Sequence, residues 1–202
     1  MRRNARHSAI ILLTLALAGW TAGLVCPING LADSPLPDPS RVTIWSPNKA
    51  FFAVMDPVDW ITTVYRATPD GKGTAQWAML GWFRAAYLAD DGEHLVTDPF
   101  SMSLLPLDYD KKQAMLYSFR RGELIKIITL DQVVGDPPKL RRTASHFSIG
   151  GYLGFRPDGR FGVQPIEGED FSLDVMTRTT IPEARKGVPQ RRRLLPEDLP
   201  QQ

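Results

Sequence analysis

The chain has 202 residues, 43% of them hydrophobic, enough for one domain with a real core and too few for two of ordinary size. Lys and Arg number 24 against 22 Asp and Glu, and without the first 32 residues the balance is 21 to 22, which excludes a basic footprint for nucleic acid. The single cysteine, Cys26, excludes a disulfide within the chain.

The chain opens with "MRRNARHS", a basic stretch holding Arg2, Arg3 and Arg6. "AIILLTLALAGWTAGLV" follows, an uncharged apolar run from Ala9 to Val25, and then "GLADS" with small residues at Gly30 and Ala32. This order of basic, apolar and small residues is that of an export signal, a helix over residues 1–32 cut between Ala32 and Asp33. Two other fates stay open. The apolar run is at the lower limit for a membrane span and would serve as an uncut anchor. Cys26 would accept a lipid, although Val25 stands where such signals carry a small residue. The Arg2-Arg3 pair is followed by nothing else that marks a twin-arginine signal. The expected location is outside the cytoplasm, periplasmic or extracellular, or else anchored and facing outward.

Residues 33–40, "DSPLPDPS", hold three prolines and read as an extended linker. From Arg41 to Pro182 the texture becomes short β-branched and aromatic runs split by Pro, Asn, Asp and Gly. Five segments read as β-hairpins: "VTIWSPNKAFFAVM", "ITTVYRATPDGKGTAQWAML", "RAAYLADDGEHLVT", "KQAMLYSFRRGELIKIITL" and "GYLGFRPDGRFGVQP". Gly92 and Gly159 supply the left-handed residue such turns require. "ELIKIITLDQVV" predicts a strand with a turn of helix at "LDQVV". Residues 135–151, polar and rich in Pro and Gly, predict an insertion without periodicity. Residues 183–202 predict a basic, Pro-rich, disordered tail around Arg191-Arg192-Arg193.

Three of the turns align. Ser46-Pro47-Asn48-Lys49, Ala89-Asp90-Asp91-Gly92 and Arg156-Pro157-Asp158-Gly159 each follow an apolar strand and precede one that reaches Ala53, Val96 or Val163. The first two copies lie 43 residues apart, the length of a four-stranded blade, and the insertion accounts for the longer second interval. "SPNKAFFA", "ADDGEHLV" and "RPDGRFGV" resemble the strand–turn–strand unit of β-propeller repeats of the WD40-like and YVTN-like type, over about residues 41 to 182. The chain lacks the Gly-His and Trp-Asp pairs of that family, and it holds about three units where a closed ring takes at least about four. The expected fold is therefore all-β, built of repeated antiparallel hairpins and blade-like sheets. These are arranged either as a partial propeller or as a sandwich. Open sheet edges imply a protein partner or self-association.

Candidate chemistry is sparse. Asp90, Asp91, Glu93 and His94 are dense in ligand atoms, yet strand alternation sends Glu93 and His94 to opposite faces, so turn formation is the expected role and a metal set the alternative. Asp108 and Asp110 in "LDYDKK" lack the further oxygens of a calcium loop. Ser145, His146 and Ser148 share one loop, but adjacent Ser and His side chains are expected to point apart. Trp77, Trp82, Phe83 and Tyr87 are the candidate ligand platform, with core packing as the alternative. No catalytic residue and no cofactor is expected. Membrane contact is expected only through an uncut anchor, a lipidated Cys26 or the arginine-rich tail. The sequence thus points to a non-enzymatic exported binding or scaffold protein. The alternatives are a small periplasmic hydrolase or metal-dependent enzyme using acidic and His loop residues, and a membrane-anchored subunit of an envelope assembly.

Overall fold

The structure is a computed structural model that describes residues 37–99, 104–134, 140–143, 145–166, 168–179 and 193–194. The expected signal helix, the cut between Ala32 and Asp33, and Cys26 lie outside the described residues. In chain order the strands are β1 (Val42–Trp45), β2 (Phe51–Asp56), β3 (Ile61–Ala67), β4 (Gly73–Leu80), β5 (Ala85–Leu88), β6 (His94–Asp98), β7 (Leu104–Pro106), β8 (Ala114–Arg120) and β9 (Glu123–Thr129). The short helix α1 (Leu130–Val134) follows, then β10 (Arg141–Arg142), β11 (His146–Ser148), β12 (Gly150–Phe155), β13 (Phe161–Pro165), β14 (Phe171–Leu173) and β15 (Arg193–Leu194). All five expected hairpins form, and "ELIKIITLDQVV" is a strand running into a turn of helix.

Four antiparallel sheets result, none of them closed. The first has the order β1-β2-β3-β4-β15, the second β5-β6-β8-β9, the third β12-β13-β14, and the fourth β10-β11-β7. The fourth sheet revises the reading of residues 135–151. That insertion contributes β10 and β11, which pair with each other, and β11 pairs in turn with β7 from the loop between β6 and β8. The tail also departs from expectation at one place, where Arg193 and Leu194 pair with Met79 and Ala78 on the edge of β4. A free strand edge gains hydrogen bonds from any extended segment that reaches it. The rest of residues 183–202 is outside the described set.

Burial explains the layering. Every residue of β6 is buried, and its neighbours Leu95 and Val96 belong to different cores. Successive strand residues face opposite ways, so β6 must be covered on both sides. On one side Leu95 packs with Ala53, Met55, Val64, Trp77 and Met79 of the first sheet. On the other, Val96 joins Leu105, Leu116, Ile128, Phe161 and Val163 from the second, third and fourth sheets. The helix adds Leu130 and Val133 to this second core.

The three aligned turns are built alike. The fourth residue of each has positive φ: Lys49 at 60°, Gly92 at 66° and Gly159 at 79°. In each, the amide of that residue donates to the carbonyl of the first, at 3.0, 3.1 and 2.9 Å. In each, the side-chain oxygen of the third residue accepts the amide two positions on: Asn48 from Ala50, Asp91 from Glu93, Asp158 from Arg160. Asn and Asp suit this position because their short side chains reach their own backbone. The strands leaving the turns bury Ala53, Val96 and Val163, the three positions matched in the sequence.

Candidate functional site

The turn Ala89–Gly92 and the start of β6 gather the densest set of titratable groups. Their side chains are engaged one by one. Asp90 Oδ1 accepts the Asn48 amide at 2.8 Å, and the Asn48 side-chain amide donates to the Asp90 carbonyl at 3.2 Å. Asp91 uses one oxygen for the Glu93 and His94 amides and the other for His94 Nδ1, at 2.6 Å. Glu93 takes both Arg120 and Arg121, with guanidinium nitrogens at 2.9 and 2.6 Å.

Electrostatics follow from these partners. For Asp91 the largest influence is burial, which favours the neutral acid. The His94 hydrogen bond and the two backbone amides together outweigh it and hold the carboxyl below its ordinary range. Glu93 is also held low, first by its hydrogen bond from Arg120 and then by Arg121. A carboxylate committed to two arginines is a poor free base or metal ligand. Among the described residues, no group of three or more His, Cys, Asp or Glu side chains is placed to hold a metal ion. The four residues therefore share a turn without sharing a ligand position.

The first sheet clamps this turn from below. Trp77 is buried and donates its indole N–H to the Gly92 carbonyl at 2.7 Å. A Cβ on Gly92 would lie 2.3 Å from the Phe51 ring. With the Asn48–Asp90 contact, three residues of the first sheet and its turn fasten the second. "YLADDGEHLV" is thus a joint between the first and second sheets.

The four aromatic candidates do not form one platform. Trp77 is in the core between the first and second sheets, and Phe83 packs against Phe119 beside that same core. Tyr87 belongs to the other core, edge-on to Phe161 at 5.1 Å. Burial first, and the nearby Asp98 second, push the Tyr87 hydroxyl pKa up. Trp82, half-buried in the β4–β5 loop, packs against the first core and meets Trp60 at 6.1 Å. The sequence reading missed Trp60 and Trp45. Trp45 is 45% exposed and starts a row across three strands, with Phe52 at 4.9 Å and Phe52 on Tyr65 at 5.0 Å. Trp60 directly follows the Pro-Val-Asp turn and Trp45 is separated from Pro-Asn by Ser46 alone, positions at strand ends where a side chain is exposed, and that was the available signal.

Ser145 and His146 correct one expectation. Their side chains meet, with Ser145 Oγ 2.8 Å from His146 Nδ1. The contact forms because the loop Thr143–His146 doubles back on itself, Thr143 bonding both the amide and the carbonyl of His146. Ser145 is exposed and His146 half-buried at the start of β11, the middle strand of the fourth sheet. Asp110 serves its own turn, accepting the Lys112 amide at 2.8 Å, while Asp108 is an exposed neighbour. No family model matches this sequence, and neither a curated protein nor a solved structure is significantly similar to it.

Proposed function

We propose that the chain is an exported, non-enzymatic protein whose blade-like β-repeats form a binding or scaffold surface. One observation carries this reading. The densest cluster of acids and histidine is consumed in building a joint, each side chain on its own structural partner. The three equivalent turns support the repeat, since the same four-residue device recurs at the head of the first, second and third sheets. Resemblance to a propeller blade stays at that level, with three main sheets in chain order and no closure.

The test is a metal analysis with thermal melts in the presence and absence of chelator. No stoichiometric metal and superimposable melts are expected. A bound metal, with a melt lowered by chelator and by Asp91→Asn together, would replace this reading with the metal-dependent enzyme.

A second reading keeps the apolar run as an anchor, making the chain a membrane-tethered subunit. The observation favouring it is Trp60, 48% exposed and set against the half-buried Trp82 at the end of the first sheet where the linker enters.

A further inference from the structure

The β2–β3 turn and the β4–β5 loop meet at one end of the first sheet. Val58 projects there at 89% exposure and Trp60 at 48%. The Trp60 and Trp82 rings lie 6.1 Å apart, inclined by 38°. The Trp60 carbonyl accepts the Gly81 amide at 2.6 Å, which ties the two loops together. Trp60 is held at a φ of 56°, a left-handed conformation that a bulky residue adopts rarely and at a cost. Asn or Gly would suit that position better, so the backbone does not account for the tryptophan there. Arg84 lies over the Trp82 ring at 5.2 Å, and Arg41 approaches Asp56 at 3.9 Å.

The entry of the chain lies at this same end. Trp82 donates its indole N–H to the Ser40 carbonyl at 2.8 Å. Ser40 closes the Pro-rich linker, fifteen residues after Val25 and the end of the apolar run. That tether spans at most ~50 Å when fully extended.

We propose that this end, through Val58 and Trp60, with Trp82 packed behind them, rests on the interfacial layer of a lipid bilayer. The inference rests on the anchored reading above, and it adds a surface to it. Indole rings with a polar N–H are the side chains that settle at the headgroup level. An aliphatic tip beside them gains from the acyl boundary, whereas a sugar would stack on ring faces and gain nothing from Val58. Arg84 already covers a face of Trp82 that a sugar would need. Asp59, exposed beside Val58, keeps the contact shallow, and Asp56 is held by the Val58 amide at 2.8 Å. Arg41 and Arg84 balance Asp56 and Asp59 in number at this end, and Arg41 lies 3.9 Å from Asp56, so burial and not charge drives the contact.

The experiment places an environment-sensitive fluorophore at Val58→Cys in the full chain, with Cys26→Ser to leave one thiol. The protein is reconstituted in phosphatidylcholine–phosphatidylglycerol vesicles, with and without brominated acyl chains. Emission is expected to shift to the blue and to be quenched by bromine, and Trp60→Asn should abolish both effects while preserving the fold, because Asn accepts the left-handed backbone. Water-like emission from vesicles that hold the intact chain would overturn the docking and leave the anchor standing. Mass analysis of the exported protein separates the two claims. A product beginning at Asp33 removes the anchor, and the same label on that product with added vesicles then decides the docking alone. Emission changed by peptidoglycan fragments but not by lipid would also overturn it, in favour of a sugar platform.

Discussion

At the residue scale, two glycines with the same backbone requirement have different surroundings. Gly71 and Gly92 both sit at positive φ, 79° and 66°. A Cβ at Gly71 meets nothing within 4 Å, whereas at Gly92 it would lie 2.3 Å from Phe51. Gly71→Ala should therefore cost only the left-handed penalty, about 1–2 kcal/mol. Gly92→Val adds overpacking against the ring, for a total of about 2–5 kcal/mol. Thermal or urea melts of the two variants check this. Equal losses would mean that Phe51 yields, and that the joint is looser than its geometry. Turn chemistry makes the positive φ of Gly92 legible in the sequence, because Asp-Asp-Gly asks for it locally. Its contact with Phe51 was not legible, because it depends on how two sheets pack.

At the scale of elements, the five hairpins were readable for the same reason that the sheet contacts were not. Each hairpin is specified within about twenty residues by alternating apolar positions and a turn. The Asn48–Asp90 joint is different. Asn48 looks equivalent to Asp91 and Asp158, since all three accept an amide within their own turn. Only Asn48 also donates a side-chain amide to the next turn, at the Asp90 carbonyl. Asn48→Asp should keep the turn and the backbone bond to Asp90 but lose the side-chain bond across the joint, turning a donor into an acceptor beside the Asp90 carbonyl. A loss of about 1–2 kcal/mol is expected at neutral pH from this unpaired contact. The loss should shrink on acidification, because the protonated form of the new acid restores a donor. Melts of the variant from neutral to acid pH test it. No loss at neutral pH would confine Asn48 to its own turn. The candidate site was half legible in this sense: Asp91 and Glu93 were readable as turn residues and His94 is a local partner three residues on, but Arg120 and Arg121 reach Glu93 only through the pairing of β6 with β8.

At the scale of the whole molecule, the all-β character was plain from composition and alternation, and the order of three main sheets followed from the spacing of the turns. The fourth sheet was hidden. Its strands have two or three residues each, too few to show a period, and its pairing joins Leu104–Pro106 to His146–Ser148 across the whole β8–β9 hairpin. That pairing also dictates a sequence of events in time. Hairpins close over short loops and form early, whereas β7 and β11 must wait until the chain between them has folded. The fourth sheet should be the last part of the domain to assemble and the first to open. Native-state hydrogen exchange should show the amides of β7, β10 and β11 exchanging well before those of the doubly covered β6, with β10 and β11 released as one unit. Protection of β7 equal to that of β6 would mean instead that this late-made seam is stitched into the global unfolding of the protein.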